Sequence, residues 1–187
     1  MKSAESRSQY NCTVSAGIAG AIWRCGTLIL SLSLMNIRVA QESDVPELAD
    51  LYYQTVQTHG LEYYTLEQTQ AWAAFGLSEH FFRQFILDVT TFVAVNETGI
   101  LGFAGIGNDG HITSVYVRYD YLHQGIGSAL MRVILDYGKS QEMKRFYAEA
   151  SLFSVGLFKK FGFQVYDTEI VERKGVKFER DLVELKC

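Results

Sequence analysis

The sequence has no surplus of basic residues, few cysteines and no long apolar run, and each shortage excludes a class of function. Seventeen Lys and Arg stand against 21 Asp and Glu, a formal net charge of -4. Sequence-independent binding to nucleic acid needs a concentrated basic face, so DNA and RNA are not expected as partners. Cys12, Cys25 and Cys187 fall in no metal-ligand spacing, which leaves no metal site and no disulfide framework, and suits a reducing, cytoplasmic setting. No stretch reaches the roughly 18 to 20 apolar residues of a membrane span, so no membrane partner is expected. What is present, 48% hydrophobic and 13% aromatic residues in a chain of 187, is enough for one globular domain with a good core.

Residues 1 to 34 differ from the rest. They hold Ser3, Ser6, Ser8, Ser15, Ser31 and Ser33, a single acid at Glu5, and two short apolar runs split by Arg24. Arg24 and the lack of a clean small-residue cleavage site make a poor secretory signal. Met35 then begins MNIRVAQESDVPEL, which reads like an ordinary protein start. Residues 1–34 are therefore taken as an N-terminal extension, disordered or upstream of the true start, with an organellar transit peptide or a structural segment as alternatives. Residues 35–187 are taken as the domain, without internal repeat or linker.

Ile37 to Ala40 predicts a short strand. Asp44 with Glu47 three residues on resembles a capping box, Pro46 is tolerated in a first helical turn, and Leu48, Leu51, Tyr52 and Val56 give that helix an apolar face up to Gly60. The run EYYTLEQTQAWAAFG supplies a loop and a second helix, and SEHFFRQFILD a third. The period then changes: Thr91–Val95 and Ile100–Ile106 alternate as strands, and Asn108, Asp109 and Gly110 turn the chain into the next.

That next stretch, HITSVYVRYDYLHQGIGSALMRVILDY, organises the rest. Ile112, Val115 and Val117 argue a strand, while Leu130, Val133, Ile134 and Tyr137 argue a helix stopping at Gly138. Between them Gly125 and Gly127 lie where a helix begins and its first amides lack partners, a place that attracts phosphates. No Gly-Lys-Ser/Thr follows, which excludes a Walker loop, and no βαβ repeat precedes, which argues against a dinucleotide fold. Arg145–Ala150 alternates as a strand, Ser151 can cap a helix carrying Leu157, Phe158 and Phe161 as far as Gly162, and two strands hinged at Lys174 and Gly175 close the chain.

This order, with VYVRYDYLHQGIGSAL and the later EASLFSVGLFKKFGF, resembles the GNAT superfamily of acetyl-CoA-dependent N-acetyltransferases over about residues 36 to 187. The resemblance implies an α/β fold with a mixed, mostly antiparallel sheet splayed at its central strands and helices on both faces. It also implies acetyl-CoA as cosubstrate. The family's phosphate-loop positions fall on Leu122, Gly125 and Gly127; the glycines match, whereas Leu122 replaces the usual Arg or Gln. By the same resemblance, the backbone of Val115, Tyr116 and Val117 pairs with the pantetheine arm, and the loop His123, Gln124, Gly125, Ile126, Gly127 and Ser128 receives the pyrophosphate. A strand amide near Tyr116 or Val117 stabilises the oxyanion.

Alkyl amines are mostly protonated at neutral pH, so a base is expected. His111, where related enzymes carry a glutamate or histidine base, is the first candidate, since an imidazole titrating near 6.5 can take a proton. Glu149, at the end of the facing strand, is the second. Ser151 stands where relatives often place an asparagine that steadies the cofactor arm. Phe158 lies beside the cofactor where many relatives have a proton-donating tyrosine, and cannot give a proton; a thiol of ordinary pKa leaves as thiolate at only about 2 kcal/mol, so the loss slows the reaction without forbidding it.

The acceptor wall implied by the family is His59, Glu62, Tyr63, Tyr64 and Trp72, for which core packing is the plainer role. His80 and His123 read as solvated. Lys159 and Lys160 read as the wet side of their helix, or as charge near the cofactor's phosphates. Two functions follow: acetyl transfer to a primary amine of a small molecule or peptide by direct attack, or a non-catalytic acyl-CoA-binding module of the same fold. A homodimer is compatible with either.

Overall fold

The computed structural model describes residues 35–186, so the expectations for residues 1–34 lie outside the described residues. The elements are β1 (Asn36–Val39), α1 (Val45–His59), α2 (Leu66–Ala73), α3 (Glu79–Leu87), β2 (Thr90–Asn96), β3 (Gly99–Ile106), β4 (Ile112–Val117), α4 (Ile126–Ser140), β5 (Arg145–Ala150), α5 (Val155–Lys160), β6 (Gln164–Arg173) and β7 (Val176–Lys186). The strands form two antiparallel sheets, β1-β2-β3-β4 and β5-β7-β6. A single parallel bridge, His111 with Tyr147, joins β4 to β5 at their start, and Tyr147 N–H donates to the Gly110 carbonyl at 3.1 Å. Beyond it the two strands have no ladder pairing among the described residues, and a gap opens between the sheets.

Strand β3 is buried along nearly its whole length, because helices cover both faces of the first sheet. On one face the apolar stripe of α4, with Leu130, Met131 and Ile134, packs on Ala104, Ile106 and Phe146. On the other, Leu48, Leu51 and Tyr52 of α1 and Phe82 and Ile86 of α3 pack on Val93 and Phe103. These two cores are separated by the sheet itself. Among the described residues no helix is long and apolar enough to cross a membrane.

Three local expectations are corrected. Asp44 does not cap α1 with its side chain; its carboxylate takes the Gln41 N–H at 2.7 Å and the Arg38 guanidinium at 2.6 Å. Glu47 reaches away instead, accepting the Ile100 N–H of the β2–β3 hairpin at 2.7 Å. Gly138 does not stop α4, which runs to Ser140. It is there for close approach: a Cβ would lie 2.2 Å from Cε1 of Phe146, a fully buried ring. Ser154, not Ser151, precedes the first turn of α5, and Ser151 Oγ accepts the Ser154 N–H at 3.2 Å one turn earlier.

Candidate active site

The divergence of β4 from β5 leaves a cleft of about 1170 Å³, with β4, the start of α4, the end of β5 and the β6–β7 hairpin in its walls. On β4, Arg118 N–H donates to Leu101 on the β3 side at 2.8 Å. Strand residues alternate, so Tyr116, paired with Phe103, turns its N–H to β3, while the amides of Val115 and Val117 face the gap. The Val117 carbonyl is already taken by the Thr55 hydroxyl at 3.0 Å. Of the two amides suggested for an oxyanion, only that of Val117 is therefore free to serve.

Beside Val117, where a Cβ on Gly127 would lie 3.5 Å from the Val117 side chain, α4 begins behind Gly125, whose φ of +87° is left-handed. No side chain caps this terminus and its first turn holds no acid, so the N–H groups of Ile126, Gly127 and Ser128 have no intrahelical partner. The helix dipole adds positive potential there. A Cβ on Gly125 would meet nothing within 4 Å; the residue is required by its backbone angle, not by space. His123 also has positive φ, 60°, and lines the cleft with Gly125, Ile126, Gly127 and Ser128, whereas Gln124 does not. Lys160 of α5 donates from Nζ to Ser128 Oγ at 2.9 Å, which places a cation at this helix end where Leu122 supplies none. The donor set, three free amides, a dipole and one ammonium, fits a diphosphate.

The base candidates touch each other. His111 Nε2 lies 2.8 Å from Glu149 Oε2, and the imidazole stacks on Tyr147 with ring centroids 4.8 Å apart. The Tyr147 hydroxyl donates to Asp109, which holds the stack in place. Glu149 lines the cleft; His111 stands behind it. Hydrogen bonding to Glu149 holds the His111 pKa above its ordinary value against the opposing effect of burial. The same bond holds the Glu149 carboxyl below its usual range, again against burial. Their shared preference is an imidazolium–carboxylate pair.

The expected acceptor residues also come together. Tyr64 is buried with its ring edge-on to Trp72, and its hydroxyl accepts the Leu152 N–H at 3.0 Å. Tyr63 is exposed and meets Phe153 edge-on. Glu62 takes the ring of His59 at 2.5 Å. Burial pushes the Tyr116 hydroxyl up, with Trp72 and Arg173 opposing. Ser151 and Phe158 line the cleft as well, Phe158 packed edge-on against Phe163. Sequence reasoning missed the roles of Thr55, Phe153, Arg173, Lys174 and Arg180, all on the cleft wall; only the turn read at Lys174 and Gly175 gave any signal.

Comparison with known proteins identifies the family and the fold. A family model described as an acetyltransferase (GNAT) domain matches residues 60–180. The chain is similar to the uncharacterized N-acetyltransferase YafP of Escherichia coli K12, 24% identical over 144 residues, covering 77% of this chain and 91% of that protein. In fold it is similar to a GCN5-related N-acetyltransferase structure from Rhodopseudomonas palustris, with a TM-score of 0.79 at 20% identity over 87% of this chain and all of that one. It is also similar to the PaiA N-acetyltransferase of Thermoplasma acidophilum in complex with coenzyme A, with a TM-score of 0.68 at 18% identity over 82% and 99%.

Proposed function

As the chain belongs to the GNAT acetyltransferases, acetyl-CoA-dependent enzymes, we propose that it acetylates a primary amine of a small molecule or peptide, by direct attack in the gap between β4 and β5. The observation that carries this reading is the placing of Glu149, backed by His111, on the same cleft as the uncapped start of α4. Acetyl-CoA, when bound, supplies the thioester: the amine nitrogen forms the C–N bond, the C–S bond breaks, one amine proton is lost and coenzyme A leaves. The amides of Val115 and Val117, which face the gap, share between them the holding of the arm along β4 and the support of the carbonyl oxygen. Glu149 meets the amine and accepts its proton, and His111, once neutral above its raised pKa, takes that proton on through Nε2. Phe158 offers no proton, so the departing sulfur is protonated from solvent.

Thiol release from acetyl-CoA with a panel of primary amines tests the proposal. Acetylation of at least one amine, identified by mass spectrometry, is expected; coenzyme A binding without release on any amine would leave the non-catalytic module instead. A second expectation concerns Lys160. With Lys160→Met the KM for acetyl-CoA should rise about tenfold relative to that for a short acetyl thioester without phosphates, since a charge-assisted contact to phosphate is lost. Lys160→Arg should restore most of it.

A further inference from the structure

The hairpin of β6 and β7 overhangs its own sheet. Pairing of β5 with β7 ends at Ala150 opposite Asp181, yet β6 and β7 continue together to Arg173 opposite Val176. The turn at Lys174 and Gly175 has positive φ at both residues, 52° and 80°, the geometry that matches strand twist in a tight hairpin. The overhang is held against the helices: Gln68 of α2 donates from Nε2 to the Lys177 carbonyl at 2.8 Å, and Phe178 packs on Tyr64 with ring centroids 6.0 Å apart. Its tip thus brings Arg173 and Lys174 onto the cleft wall.

They stand on the side away from the phosphate cradle. The charge of Arg173 is felt by the hydroxyls of Tyr52 and Tyr116, which belong to the α1 and α3 core, whereas Val117 and Leu157 beside α4 belong to the other. Three nearby carboxylates are engaged elsewhere, Glu169 with Arg180 at 2.7 Å, Glu62 with His59 and Glu149 with His111, while Glu179 on the cleft wall has no ion pair among the described residues. Among the described residues neither Arg173 nor Lys174 has an ion-pair partner. The acceptor half of the cleft thus holds Glu149 at the β4–β5 gap, Glu179 on β7, Arg173 and Lys174 without ion pairs at the hairpin tip, and Trp72, Phe75 and Tyr116 in the wall.

We infer that the acceptor is a primary amine with an apolar body and a carboxylate on the same molecule, the carboxylate held by Arg173 with Lys174 beside it. The guanidinium fork suits bidentate pairing with a carboxylate, and the aromatic wall takes the apolar body. This rests on the acetyl-transfer reading for its chemistry but not for its geometry.

The test uses matched acceptors, L-phenylalanine against L-phenylalaninamide and 6-aminohexanoate against hexylamine, with kcat/KM from thiol release. The carboxylate members should be favoured at least tenfold, and Arg173→Met should bring that ratio close to one through KM, with Arg173→Lys recovering part. Equal or better turnover of the uncharged members, or a ratio unmoved by Arg173→Met, would overturn the inference while leaving acetyl transfer intact. Calorimetric titration of 3-phenylpropionate and its amide into the full chain with coenzyme A reads the same site without turnover. Selective binding of the acid, lost in Arg173→Met, supports the inference even if no amine is acetylated; equal binding of acid and amide defeats it.

Discussion

Glu149→Gln should lower kcat by about two orders of magnitude while leaving the KM for acetyl-CoA within a few-fold, the usual scale for losing a positioned base. The amide keeps the shape and a hydrogen bond to His111, so the loss reports the carboxylate's charge and basicity rather than packing. His111→Ala should lower the rate in the same direction, because the proton then has no second acceptor. The pH dependence gives a sharper reading. Hydrogen bonding to Glu149 raises the His111 pKa, so the acid limb of kcat should lie above the ordinary imidazole value of about 6.5. In Glu149→Gln the imidazole resonances, followed by NMR, should titrate at lower pH than in the wild type. An unmoved titration would remove the pair from the mechanism. The same shifts set a stability window. The raised His111 contributes fully below the ordinary imidazole range and loses its contribution as pH rises through its folded pKa. The lowered Glu149 contributes above the ordinary carboxylate range and loses its contribution as pH falls. The pair therefore stabilises the fold most between those two ordinary ranges.

Gly125→Val should abolish coenzyme A binding, at least 100-fold by calorimetry, with little change in far-ultraviolet circular dichroism. A φ of +87° is costly for a β-branched residue, about 1 to 3 kcal/mol, and the backbone relieves that cost by rotating. Rotation at this position re-aims the amides of Ile126, Gly127 and Ser128 away from the cleft. Because a Cβ there meets no protein atom within 4 Å, crowding within the fold itself does not account for the effect. Wild-type affinity in this variant would mean that the start of α4 does not hold the phosphates.

Much of this was legible in the order of residues. Strong period changes located β2 through β5 and α4, since those elements bury one or both faces and their patterns are dictated by the core. The glycine turn before α4 was legible because few residues other than glycine adopt its angle. What escaped notice depends on partners distant in the chain. Gly138 looks like a helix stop until the ring of Phe146 is set on it. Glu47 looks like a cap until the β2–β3 hairpin supplies its donor. Lys160 reads either as a solvated lysine on α5 or as charge near phosphates, and only folding, which brings it to Ser128, 32 positions earlier, separates the two. Arg173 gave still less warning, because a cation at a hairpin tip is ordinary unless the tip leans over a pocket.

On the proposed reading, the sheet that separates the two cores also separates two kinds of selectivity, nucleotide recognition on the side of α4 and amine recognition on the aromatic side of α1 and α3. Variants in Trp72, Phe75 or Arg173 can thus retarget the enzyme toward other amines while the donor's affinity stays as it was, an independence that directed evolution of this scaffold can exploit.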